Sequence, residues 1–231
     1  MLPRLLIIVV ALVALVGVGV VALDGPARAI AEDATATALL KRVPFTAKPS
    51  VTIEGWPFLW DAVVGFPRVR VSASGMPVTS GSDRVTLSDP DFTLTGVVVR
   101  PRALTAAGLT GTAVLPYAEL SRLTGGSVSY ADGDRIKYTA HVTLFGRELD
   151  AVVTGVPTLD VQGQTLTIGH ATVDIAGITI PQVPVDAIAS VVAKPIAVTL
   201  PFGLQVRTVD ATEAGVRAEV AGSNVTLPTD G

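Results

Sequence analysis

Along most of this chain, apolar and polar residues alternate. Ile136, Tyr138, Ala140, Val142 and Leu144 take every second place, with Arg135, Lys137, Thr139, His141 and Thr143 between them. A strict period of two puts one set on each face of a strand and is incompatible with a helix. The same alternation runs through Val69, Val71 and Ala73, where Arg68 and Arg70 share the opposite, wet face. It returns at Val85 and Leu87, Phe92 and Leu94, Leu149 to Val153, Leu159 and Val161, Leu166 and Ile168, Val173 and Ile175, and Val216 to Val220, closing at Val225 and Leu227. Turn residues punctuate these runs. Ala131-Asp132-Gly133-Asp134 predicts a hairpin, Asp89-Pro90-Asp91 and Gln162-Gly163-Gln164 predict further turns, and Gly75 to Asp83 reads as a polar loop. The pattern predicts a meander of antiparallel strands.

Four stretches depart from it. Leu5 to Leu23 carries no charged or polar side chain, and at helical rise it nearly crosses a hydrocarbon core of about 30 Å. Arg4 before it and Asp24 after it predict a cytoplasmic amino terminus and an exported body. Residues 1–25 are therefore read as a signal peptide or transmembrane anchor, and 26–231 as a single α+β domain. Ala27-Arg28-Ala29 resembles a cleavage site, whereas the length of the apolar run favours a retained anchor. Residues 26–42 are alanine-rich, with Glu32 and Asp33 early and Lys41 and Arg42 late, which suits the dipole of a helix ending before Pro44. Pro116 to Leu123 opens on proline and closes at Gly125-Gly126, a short helix. Val185 to Ala193 places Ile188, Val191 and Val192 at helical spacing.

Val51 to Trp60 concentrates ring area. Trp56 and Trp60, the chain's two tryptophans, stand with Phe58 within five positions. Val51 and Ile53 alternate as a short strand, Gly55 permits a sharp turn, and Pro57 keeps Trp56 extended. Two readings are open. The rings plug the mouth of a hydrophobic core, or they form an aromatic lip around an apolar ligand or at a membrane interface.

Charge and chemistry narrow the function. The net charge of −3 gives no basic field for nucleic acid. Without cysteine there is no disulfide framework or thiolate metal site. His141 and His170 lie on separate strands, and neither has a second histidine or an acid at metal-ligand spacing. No Gly-x-Ser-x-Gly elbow, phosphate loop or calcium loop occurs. The Asp89/Asp91 and Asp132/Asp134 pairs fit turns better than catalysis. The residues point to no enzyme and require no cofactor.

The Val-Thr-Ile-Glu-Gly-Trp-Pro-Phe-Leu stretch, the strand with Arg68 and Arg70, Leu200-Pro201-Phe202-Gly203-Leu204 and Gly222-Ser223-Asn224-Val225-Thr226-Leu227 resemble the actinobacterial LmeA-like family. The resemblance covers nearly the whole chain after the apolar run. It implies a tubular lipid-binding fold, in which a strongly curved antiparallel sheet wraps a helix around an apolar cavity. It also implies an extracytoplasmic envelope protein that binds phospholipid, of phosphatidylinositol type in mycobacteria, where the family is linked to mannan elongation of lipoglycans. The partners implied are a phospholipid or lipid-linked glycan precursor and the membrane. The competing readings are an adaptor that docks an envelope glycosyltransferase and a lipid-modifying hydrolase. On the lipid reading Trp56, Phe58, Leu59 and Trp60, with Ile188 and Val192, line or rim the cavity. Arg68 and Arg70 form a solvated strand face first of all, and on the lipid reading they would meet a head-group phosphate.

Overall fold

The computed structural model describes residues 24–41, 45–80, 83–100, 103–144, 147–175, 178–181, 196–197, 200 and 203–228. The apolar run before residue 24 and the helix expected over 185–193, with Ile188 and Val192, lie outside the described residues. Helix α1 (24–41) is followed by β1 (Ser50–Glu54), α2 (Phe58–Val64), β2 (Phe66–Ser72), β3 (Gly75–Ser80), β4 (Asp83–Arg100), β5 (Ala103–Pro116) and α3 (Tyr117–Thr124). Then come β6 (Ser127–Ala131), β7 (Arg135–Leu144), β8 (Arg147–Asp160), β9 (Thr165–Ile175), β10 (Ile178–Pro181), β11 (Ile196–Ala197), β12 (Gln205–Thr212) and β13 (Gly215–Pro228). All strand pairs are antiparallel. They form two sheets, ordered β1-β2-β4-β5-β13-β12 with β3 beside β4, and β10-β9-β8-β7-β6 with β11 beside β9. Among the described residues neither sheet closes on itself, and no helix is long and apolar enough to cross a membrane.

Two expectations are corrected. Gly75 to Ser80 is a strand, because it pairs residue for residue, antiparallel, with Ser88 to Asp83. Asp89-Pro90-Asp91 does not reverse the chain. It is a bulge inside the long β4, where Asp89 adopts φ 47° and the register with β5 shifts between Ser88 and Asp91. Turn-forming residues can be absorbed in a bulge when the strand pairs on both sides of it. The Ala131–Asp134 hairpin and the short helix ended by Gly125, at φ 73°, form as their sequences predict.

The first sheet breaks strict alternation along one line. Its register runs Arg68↔Thr95↔Gly108↔Ser223 on one side and Phe66↔Val97↔Ala106↔Val225 on the other. The row between them, Pro67, Gly96, Ala107 and Asn224, carries no ladder pair. Pro67 has no N–H to give, and Gly96 and Asn224 take φ 58° and 52°. Leu94 and Val97, like Ala106 and Leu109, are three residues apart, so regular pleating would send them to opposite faces. All four are nevertheless buried in one core with Val51, Ile53, Phe58, Val69 and Val225. The broken row lets the residues before and after it face the same core, and α1 packs on that core with Ala27, Ala31, Ala36 and Leu39.

A second core joins the sheets. Leu120 of α3 packs with Val128, Ile136, Tyr138, Val153 and Val173 of the second sheet and with Ala211 and Val216 of the first. Tyr117 and Tyr138 lie in or against it, their hydroxyls donating to the Thr212 and Thr124 carbonyls at 2.7 and 3.3 Å. Burial pushes both phenols above the ordinary value of 10.0, and Tyr130 adds to the rise at Tyr117. A phenol whose pKa is higher folded than unfolded holds its proton more tightly in the native state. The stability it contributes is complete below the unfolded value and is lost as pH rises through the folded one. Resistance to urea is therefore expected to fall above about pH 10. An absorbance titration should show tyrosines ionising above the ordinary value, and a titration showing none would contradict the burial.

Candidate functional site at the tryptophan turn

The turn after β1 is built by three residues. Gly55 takes φ 138°, and the Trp56–Pro57 peptide is cis. A Cβ at Gly55 would come within 2.0 Å of Asp61 Oδ2, so only glycine fits beside that carboxylate. Pro57 then caps α2, its carbonyl accepting from the Trp60 and Asp61 amides at 3.1 Å each. Gly65 closes the helix at φ 121°, donating to the Asp61 carbonyl at 2.7 Å. The expected strand end is thus a turn followed by a two-turn helix. Proline before Phe58 and glycine after Val64 were the sequence signal for it, outweighed by the β-branched residues on either side.

α2 inverts the usual amphipathic order. Phe58 and Asp61 turn inward, with Phe58 buried in the first core, 5.3 Å from the Phe66 ring centroid. Leu59, Trp60, Ala62, Val63 and Val64 turn outward and are exposed. Trp56 is 70% exposed, Trp60 66% and Val63 82%. The only charged side chain of the helix lies on its inner side, and its outer face carries none. Of the ring cluster, Phe58 anchors the helix while both tryptophans and Leu59 face solvent.

Two residues that the sequence reading left without a site role hold this turn. Asp24, buried in α1, accepts from the Phe58 amide and pairs with Arg28 at 3.0 Å. Arg28 also donates to the Gly55 carbonyl at 2.5 Å and lies over the Phe58 ring, 5.9 Å from its centroid. Arg28 Nε and Asp61 Oδ2 are buried without a hydrogen-bond partner. In the sequence alone Asp24 marks only topology, because nothing local links it to a helix 34 residues on.

Arg68 and Arg70 share the exposed face of β2, as their alternation predicts. Arg68 pairs with Glu54 at 2.9 Å, just before the turn, and Arg70 with Asp91 at 3.6 Å. All four side chains are about half exposed, a setting in which an ion pair contributes little, about 0–1 kcal/mol. His141 does have an acidic neighbour: Asp150 stands opposite it on β8, with Nδ1 and Oδ1 2.6 Å apart and both side chains well exposed. Among the described residues no group of three histidines or acids could hold a metal.

The fold and this turn define an α+β protein of two antiparallel sheets whose distinctive surface is an aromatic, apolar helix face. The chain belongs to the LmeA-like phospholipid-binding family, which it matches over residues 22–221. Comparison with curated proteins and with solved structures finds no match.

Proposed function

We propose that this protein binds a single phospholipid, or the lipid of a lipid-linked glycan precursor, and sequesters, presents or shuttles it outside the cytoplasm during cell-envelope lipoglycan assembly. It does so without a reaction of its own. The observation that carries the reading is the family match, which takes in α1, the tryptophan turn and most of both sheets. The long apolar side of the first sheet, with α1 laid along it, supports a wrapped arrangement of the tubular kind, in which acyl chains lie between helix and sheet. Burying a methylene is worth about 0.8 kcal/mol, so an acyl chain of about sixteen carbons represents on the order of 13 kcal/mol before binding costs. Such a ligand has to be collected from a membrane and delivered to one. Residues 1–23 would keep the domain there, Trp56, Leu59 and Trp60 would rim the entrance with Ile188 and Val192, and Arg68 and Arg70 would meet the head group, of phosphatidylinositol type.

The test is photolabelling of the full chain in vesicles containing a phosphatidylinositol with a diazirine in its acyl chain, followed by peptide mapping. Labels are expected on β2, β4, β5 and β13, on one lipid per protein, with the unlabelled lipid recovered chemically unchanged. Labels confined to residues 1–23 and α2 would defeat the carrier reading and leave an adaptor for an envelope glycosyltransferase. Lipid recovered cleaved would make the protein a hydrolase.

A further inference from the structure

The outer face of α2 is unusual in what it lacks. Five outward positions, 59, 60 and 62–64, hold no charged side chain and no polar group beyond the indole N–H of Trp60, while the one carboxylate of the helix, Asp61, turns to the protein's interior with an oxygen left unpaired. A soluble surface helix places its charges the other way round. Trp56 extends the same exposed apolar surface into the turn, and Arg68, beside the turn, supplies a cation at its edge. Tryptophan at the margin of an apolar face, with arginine near it, is the composition that suits the boundary between lipid head groups and acyl chains.

What covers this face is indicated by the chain that precedes the described residues. The unbroken apolar sequence Leu5 to Leu23 ends one residue before Asp24. Asp24 is hydrogen-bonded to the first amide of α2, and Arg28, one helical turn later, to the carbonyl of Gly55. Asp24 and the tryptophan turn are therefore held together by one buried and one partly buried hydrogen bond. On the reading of residues 1–23 as a membrane segment, the chain would leave the bilayer at the head groups just before Asp24, the residue to which the tryptophan turn is bonded.

We infer that Trp56 and the outer face of α2, Leu59, Trp60, Val63 and Val64, form a membrane-docking surface that embeds in the interfacial layer of a phospholipid bilayer. The inference rests on the reading of residues 1–23 as a membrane segment and is separate from the binding of a single lipid by the sheet. Docking there holds the first sheet at a fixed height and angle to the bilayer, so that lipid could pass between membrane and domain without crossing water.

The two tryptophans are the only ones in the chain, so intrinsic fluorescence reads this surface alone. The full chain is reconstituted into phosphatidylcholine and phosphatidylglycerol vesicles containing lipids brominated at different depths. Expected are blue-shifted emission, protection from aqueous acrylamide, and quenching that is strongest for bromines near the head-group end of the acyl chains. Val63→Asp, at a position 82% exposed, should leave circular dichroism unchanged, red-shift the emission and remove the quenching. Emission that stays solvent-like and open to acrylamide would overturn the inference and leave the face to a protein partner. Quenching that peaks at the bilayer centre, or that persists in Val63→Asp, would also overturn it, since the rings would then be reporting a lipid held elsewhere. Unquenched tryptophans with strand photolabelling would leave the single-lipid reading standing without this surface; quenched tryptophans without strand labelling would do the reverse.

Discussion

Phe58→Ala is expected to cost about 3–5 kcal/mol of folding stability, the range for emptying a buried phenylalanine site. The ring is 6% exposed, lies against Phe66, and is covered by the Arg28 guanidinium. It is also the only buried side chain of α2. Its loss leaves a seven-residue helix with no hold on the core, and helices that short do not persist unaided. Urea unfolding followed by circular dichroism measures the effect. Trp56→Ala and Trp60→Ala, at exposed positions, should move the same midpoint little, within about 0.5 kcal/mol, while acting on lipid contact. Equal destabilisation by all three variants would mean that the tryptophans are packed in solution, and the exposed face would be lost as an idea.

Asp24→Ala should cost about 2 kcal/mol, because it leaves the buried Phe58 amide unsatisfied and takes the counter-ion from the partly buried Arg28. The defect is predicted to be local as well as global, with faster proteolysis between Gly55 and Gly65 than in β4 or β5. Asp24→Asn keeps an acceptor for the amide and should recover part of the loss. A chain begun at residue 30 lacks Asp24, Arg28 and the Arg28–Gly55 bond and should be destabilised at least as much as the alanine variant. If Asp24→Ala proved as stable as the parent, the turn would be held by Phe58 and the Arg28–Gly55 bond, and the link from Asp24 to α2 would carry no weight.

The strands of this protein were legible wherever apolar residues alternate. β7 is the plainest case: Ile136 and Tyr138 are buried, Lys137 and His141 are exposed, and the turn at Gly133 pairs it with β6. The alanine-rich helix and the short helix after Pro116 were equally readable, since their ends carry the charges, proline and glycine that helix termini favour. Where the reading failed, local and non-local signals were in competition. β3 looks like a loop because its polar residues say nothing of the β4 partner that makes it a strand. The broken row through Gly96 and Asn224 could not be seen one strand at a time, because it is a property of four strands in register.

The tryptophan cluster shows the same division. Its composition drew attention to Val51–Trp60 and left two readings open, core or lip. Local sequence could not choose, since Phe58 and Trp60 are equally apolar and differ only in which side of a helix they occupy. Tertiary structure separated them: Phe58 belongs to the core, and Trp56, Leu59 and Trp60 belong to the surface. The assignment depends on Asp24 and Arg28, which approach from 27 to 34 residues away and fix the direction in which α2 faces. The sequence by itself determined the antiparallel α+β class, the family and the place where ring area gathers, because periodicity and motif are local. Only the folded chain decided which rings meet solvent and which meet the core, because that follows from long-range hydrogen bonds and from the packing of α1 on the sheet.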